Sequence, residues 1–195
     1  RFVPGDFLTA LMGTYLLERE KGATIIYDVR CSWAVPELIQ TAGGIALIER
    51  VGHSFIKPRM FEEGGIFGGE LSGHYYFRDF FGADSGIVPS LILLEMLSRK
   101  GVKLSLLLEP LEQQYFLSGE INTEVEDSAG RIQAVEESYS NGKVEHIDGV
   151  SVSYEDWHFN VRASNTEPLL RLNLEGRSRQ LMEEKTDEVL GVIRS

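Results

Sequence analysis

Apolar residues recur at Phe7, Leu8, Leu11, Met12, Tyr15 and Leu16, a spacing that predicts a helix with one buried stripe, entered through Pro4-Gly5-Asp6 and ended by Gly22. The β-branched run Ala23 to Val29 predicts a buried strand, and Arg30-Cys31-Ser32 leads from it into a helix with Pro36 in its first turn. Gly43-Gly44 stops that helix, Ile45 to Val51 reads as a second strand, and Ser54 to Glu63 as a helix. Ile66-Phe67 gives a third strand, which runs straight into the loop at Glu70. A leucine-rich helix follows from about Ile87 to Arg99, then a shorter one around Leu104 to Leu111. Strands alternating with helices imply βα crossovers and a mostly parallel sheet covered on both faces, a three-layer α/β/α domain over residues 1–112.

Beyond Pro110 the pattern changes. Tyr115 to Val125 alternates as a half-exposed strand does, and a polar helix spans about Ser128 to Tyr139. Asn141-Gly142 and Asp148-Gly149 are turn pairs of the hairpin kind. Ser151 to Tyr154, Trp157 to Val161 and Leu169 to Leu174 read as strands, and Ser178 to Ile193 as a closing helix. A second, smaller α+β domain over 113–195 is the expectation.

Composition then narrows the function. With 195 residues and 43% hydrophobic content the chain can fill two small cores, and no apolar run approaches the roughly 20 residues of a membrane span. The formal charge of -11 argues against non-specific binding to nucleic acid or an anionic membrane, so an anionic ligand needs a local basic pocket. Cys31 stands alone and has no activating neighbour, which together with the absence of a signal-peptide pattern suggests a cytoplasmic protein. The abrupt start suggests a piece of a longer chain.

Two stretches carry chemistry. In Gly68-Gly69-Glu70-Leu71-Ser72-Gly73-His74 the carboxylate of Glu70 can accept from neighbouring sugar hydroxyls, Ser72 adds another contact, and the glycines let backbone approach a ligand. The bland reading is a tight turn with an exposed glutamate. Arg162-Ala163-Ser164-Asn165-Thr166-Glu167-Pro168, between two apolar strands, offers a guanidinium fork, two hydroxyls and an amide suited to phosphate; its bland reading is a hairpin turn. Arg30, His53 with Lys57, and Glu70 with Ser72 each follow a predicted strand, where ligands of open α/β sheets gather. His53 and His74 are candidates for orienting a ligand oxygen or carrying a proton, and Arg59 and Arg78 for adding positive charge. Asp28, Asp84 and Glu62-Glu63 do not form a metal set, and no glycine-rich nucleotide loop is present.

The runs at 69–74 and 162–168, with Tyr27-Asp28-Val29-Arg30-Cys31-Ser32 and Val51-Gly52-His53-Ser54-Phe55-Ile56-Lys57, resemble the third and fourth domains of the α-D-phosphohexomutases, most nearly the bacterial phosphomannomutase/phosphoglucomutase branch. That resemblance implies a TATA-binding-protein-like fold for the second domain. It implies that Arg30, His53, Lys57, Glu70, Ser72 and His74 bind the sugar, with His74 a possible proton carrier, and that Arg162, Ser164, Asn165 and Thr166 hold the phosphate that is not reacting. Arg30 stands where many relatives have lysine. The nucleophilic serine and the magnesium ligands belong to the first two domains of the family, so this segment alone should be inactive. The implied reaction interconverts hexose 1-phosphate and 6-phosphate through a phosphoserine and a 1,6-bisphosphate, with Mg2+ and glucose 1,6-bisphosphate as activator. Asn165 in place of glycine and Leu71 in place of glutamine argue against the phosphoglucosamine branch, which remains an alternative beside a non-catalytic phosphosugar-binding module.

Overall fold

The computed structural model describes residues 2–164 and 167–195, which fall into two compact units, Arg1–Gln113 and Gln114–Ser195. In the first, helix α1 (Gly5–Leu17) precedes strand β1 (Thr24–Asp28), helix α2 (Ala34–Thr41), strand β2 (Ile45–Glu49) and helix α3 (His53–Glu62). Strands β3 (Phe67–Gly69) and β4 (Tyr75–Phe77) follow, then a 3-10 turn at Arg78–Phe80 and helices α4 (Ile87–Lys100) and α5 (Leu104–Gln114). The sheet order is β2-β1-β3-β4, with β2, β1 and β3 parallel and β4 antiparallel to β3.

The alternation along β1 sorts the helices. Ile25 reaches Gly13 of α1, where Ile39 of α2 also packs, while Ile26 joins Ile56 and Met60 of α3 with Tyr76 on the opposite face. Two helices on one face and one on the other make the α/β/α layering. The β1 run buries all five of its residues, as a central parallel strand does.

The second unit holds strand β5 (Phe116–Glu124), helix α6 (Ser128–Ser138), strands β6 (Lys143–Glu145), β7 (Val150–Ser153), β8 (Trp157–Ala163) and β9 (Leu169–Gly176), and helix α7 (Arg179–Arg194). Its antiparallel order is β5-β9-β8-β7-β6. Trp157, Phe159, Val161, Leu170, Leu172 and Leu174 form one apolar face, packed with Val135 of α6 and Met182, Val189, Leu190 and Ile193 of α7. The intervening residues put His158, Asn160 and Arg162 of β8 opposite Glu175, Asn173 and Arg171 of β9, a row of polar pairs on the other face.

Several local expectations are corrected. Helix α1 stops at Leu17, and Gly22, with φ of 76°, serves the turn into β1. The strand after α2 ends at Glu49, and His53 is the first residue of α3 rather than a loop residue. Asn141-Gly142 joins α6 to β6, so the hairpin of β6 and β7 uses only the Asp148-Gly149 pair, with Gly149 at φ of 69°. Strands β4 and β6, three residues each, went unread because so short a run carries no period.

Candidate functional site

The loop from Glu70 to His74 connects β3 to β4, closed by Glu70 N–H donating to His74 O at 3.0 Å and Gly73 N–H to Glu70 O at 2.9 Å. It is therefore a turn between strands, but the glutamate it carries is not exposed: Glu70 retains 3% of its accessible surface. Its Oε1 accepts from the Tyr76 hydroxyl, and its Oε2 lies 3.7 Å from Arg30 Nη2. Burying a carboxylate without such partners is strongly unfavourable, so the position is built to hold a charge.

Arg30 is itself held. Asp28, fully buried at the end of β1, accepts from Arg30 Nε at 3.0 Å, Arg30 Nη2 at 2.8 Å and the Arg30 backbone N–H at 2.8 Å. The Leu71 N–H also donates to Asp28 Oδ2, at 2.9 Å, which ties the Glu70 loop to the same carboxylate. Asp28 thus fixes both Arg30 and the loop. Burial raises the Tyr76 phenol above its ordinary range, and the hydrogen bond and charge of Glu70 push it further the same way. Tyr76 donates to Glu70 as a neutral phenol.

Arg30, His53, Lys57, Glu70, Ser72 and His74 line a single open cavity of about 460 Å³, together with Val51, Gly52, Tyr76 and Asp84. These side chains come from the ends of β1 and β3, the start of α3 and the β3–β4 loop, so the parallel sheet gathers at one edge what is spread over 45 residues of sequence. Lys57 Nζ lies 5.5 Å from the centre of the Tyr76 ring. His74 Nδ1 lies 2.7 Å from Asp84 Oδ2, which orients the ring. Tyr76 and Asp84 were missed as site members. Tyr76 looks like core in sequence, and Asp84 stands ten positions from its histidine with no local spacing to announce it.

Arg59 and Arg78 do not join the cavity. Arg59 pairs at 3.2 Å with Glu63, which caps the end of its helix, and Arg78 forks onto Glu20 of the α1–β1 connection at 2.8 and 2.9 Å. Cys31 is buried, and desolvation pushes its thiol well above the ordinary range, as inert packing requires. Among the described residues no group of three or more His, Cys, Asp or Glu is placed to hold a metal ion.

In the second unit, Arg162 sits near the end of β8, 6% exposed, and Ser164 follows it with its N–H donating to Leu169 O at 2.9 Å. Arg162 Nη2 is 3.7 Å from Glu120 Oε2. Asn165 and Thr166 lie outside the described residues.

Residues 4–115 match the family model described as phosphoglucomutase/phosphomannomutase, alpha/beta/alpha domain III, and residues 120–192 match the phosphoglucomutase/phosphomannomutase C-terminal domain. The chain is 39% identical over its whole length to the phosphohexose mutases of Xanthomonas campestris pv. campestris and 40% identical to the phosphomannomutase of Salmonella montevideo, covering 44% and 43% of those proteins. A phosphoglucomutase/phosphomannomutase family protein from Burkholderia thailandensis has the same fold, with a TM-score of 0.85 at 29% identity over all of this chain and 42% of that one. The chain spans less than half the length of these relatives. With the two domain models matched in succession over residues 4–115 and 120–192, this chain belongs to the phosphoglucomutase/phosphomannomutase family and comprises its domain III and C-terminal domain.

Proposed function

We propose that this chain is the C-terminal half of a phosphohexomutase that interconverts hexose 1-phosphate and 6-phosphate, mannose or glucose, through a phosphoserine and a 1,6-bisphosphate. The observation that carries the reading is the convergence of Arg30, His53, Lys57, Glu70, Ser72 and His74 on one cavity with a buried, charge-supported Glu70 at its wall. A carboxylate has about four acceptor positions, and Tyr76 and Arg30 engage two sides of Glu70, leaving capacity for two neighbouring sugar hydroxyls. Ser72 supplies a further hydroxyl contact. His74, oriented by Asp84, stands ready to orient a ligand oxygen or carry its proton. Arg30, Lys57 and His53 bring basic side chains to one cavity of an acidic chain.

In the second unit Arg162, Ser164, Asn165 and Thr166 hold the phosphate that is not reacting. Glucose and mannose differ only at C2, so a pocket that reads O3 and O4 admits both. The nucleophilic serine and the magnesium site lie in the part of the protein outside this chain, and glucose 1,6-bisphosphate primes the cycle. The domain limits of 1–112 and 113–195, with the second TATA-binding-protein-like, and a cytoplasmic setting complete the reading.

The test uses the complete parent protein with mannose 1-phosphate and glucose 1-phosphate in a coupled assay. Glu70→Gln and Arg162→Ala should each lower kcat/KM by about ten- to a hundredfold, the loss of one charge-assisted bond at about 1.5 to 3 kcal/mol. Unchanged kinetics for both variants would sink the assignment.

A further inference from the structure

A second cavity, of about 330 Å³, opens at the other end of the first unit's sheet. Ile66 leads into β3 and Phe77 ends β4, so the cavity lies where these two strands are farthest from the Glu70 turn that joins them. Val88, Ile92 and Glu95 reach it from one face of α4, at the i, i+4, i+7 spacing, and Tyr15 and Leu16 from the last turn of α1. Leu16, Ile66, Phe77, Val88 and Ile92 make its lining largely apolar, and Phe80, which also lines it, is left 43% exposed. The turn that brings Phe80 there holds Phe81 in the left-handed region, at φ of 59°, an uncommon conformation for a bulky side chain. The volume falls at the lower end of the range that encloses small organic ligands.

Two charged side chains at this cavity keep hydrogen-bonding capacity to spare. Arg19 Nη2 donates to Glu95 Oε1 and lies 3.3 Å from the Tyr15 hydroxyl, while Arg19 Nε and Nη1 make no hydrogen bond among the described residues. Glu95 Oε1 also meets Arg99 Nε at 3.0 Å, and Glu95 Oε2 has no partner among the described residues. A cation with open donors and an anion with an open acceptor thus stand in contact beside an apolar hollow. Their side chains are 52% and 36% exposed, so a solute can reach them. Arg78, by contrast, is occupied by Glu20 at 2.8 and 2.9 Å and by Asp79 at 3.0 Å. Arg19, Arg78 and Arg99 balance Glu20, Asp79 and Glu95 in charge, so the surroundings favour neither a lone anion nor a lone cation.

We propose that this cavity binds a free α-amino acid with a large apolar side chain. The carboxylate meets the open donors of Arg19, the ammonium meets Glu95 Oε2, and the side chain lies over Ile66, Phe77 and Ile92. An α-amino acid carries its two charges on adjoining groups, which matches an arginine and a glutamate already in contact. This cavity and the Glu70 cavity share no lining residue, so the two readings stand or fall separately.

The test titrates this chain with L-phenylalanine, hydrocinnamate and phenethylamine near neutral pH, following amide and methyl shifts by NMR. L-phenylalanine should move the signals of Ile66, Val88 and Ile92. It should bind at least about fivefold tighter than hydrocinnamate, which lacks the ammonium, or phenethylamine, which lacks the carboxylate. Arg19→Gln should bring L-phenylalanine down to the affinity of phenethylamine, and Glu95→Gln down to that of hydrocinnamate. Ile92→Trp fills the hollow and should abolish binding of all three; if it unfolds the chain, Val88→Phe must do the same in a folded one. Equal affinities for the three probes, or L-phenylalanine binding that survives both charge variants, would reduce the cavity to a packing hollow and overturn the inference. Shifts confined to the Glu70 cavity, or no shift with any probe, would overturn it as well.

Discussion

Glu70 is buried against two polar partners, the Tyr76 hydroxyl and the Arg30 guanidinium. The phenol is held neutral by burial and by the carboxylate it donates to. Tyr76→Phe keeps the ring but leaves a buried carboxylate oxygen without that donor, and should cost about 1.5 to 3 kcal/mol in urea unfolding at pH 7.5. The same residue sets an alkaline dependence. Tyr76 and Tyr75 have folded-state pKa values above the unfolded value of about 10, so their contribution is fully present below pH 10 and is lost as pH rises beyond it. The fall in stability between pH 9 and 11 should therefore be shallower in Tyr76→Phe than in the wild type. An equal slope would remove Tyr76 from the account.

At the scale of elements, the Glu70 loop is positioned by a helix as much as by its strands. A Cβ on Gly5, the first residue of α1, would stand 2.5 Å from Leu71 O and 2.9 Å from Gly73 N, both backbone atoms that cannot rotate away. Tyr75 locks the same junction by donating its hydroxyl to Gly5 O at 3.0 Å. Gly5→Ala should lower stability by about 1 to 3 kcal/mol and weaken hexose phosphate binding, because the helix start and the loop must separate. Gly191, exposed in α7 with open space around it, makes the control: Gly191→Ala should raise stability by about 0.5 to 1 kcal/mol. Thermal melting of the two variants reads both signs. This contact also marks the limit of what the sequence discloses. Helices and long strands were legible because their periods repeat, and Arg30, His53, Glu70 and His74 because each follows a strand end or interrupts an apolar run. Of the partners that hold those residues, Asp28 stands only two positions before Arg30, whereas Tyr76 under Glu70 and Asp84 beside His74 are brought in by the fold and leave no local spacing.

At the scale of the whole molecule, a chain of formal charge -11 is proposed to hold an anion, and the two facts are reconciled by distance. Exposed charges more than about 10 Å away are screened at 0.1 M salt, whereas the guanidiniums of Arg30 and Arg162 act at contact from sites 6% and 8% exposed. Anion recognition here is a property of local geometry, and the average field opposes it. A polyanion, which must be met by an extended basic surface, should therefore gain nothing from these residues. The chain is expected to pass unretained through immobilised heparin at 50 mM salt while still binding methyl phosphate in the same buffer. Raising salt from 10 to 150 mM should change that methyl phosphate affinity by less than about threefold, because screening weakens the distant repulsion along with the near attraction. Retention on heparin, or a steep loss of methyl phosphate binding with salt, would instead place the anion on an exposed basic patch and detach it from the buried arginines.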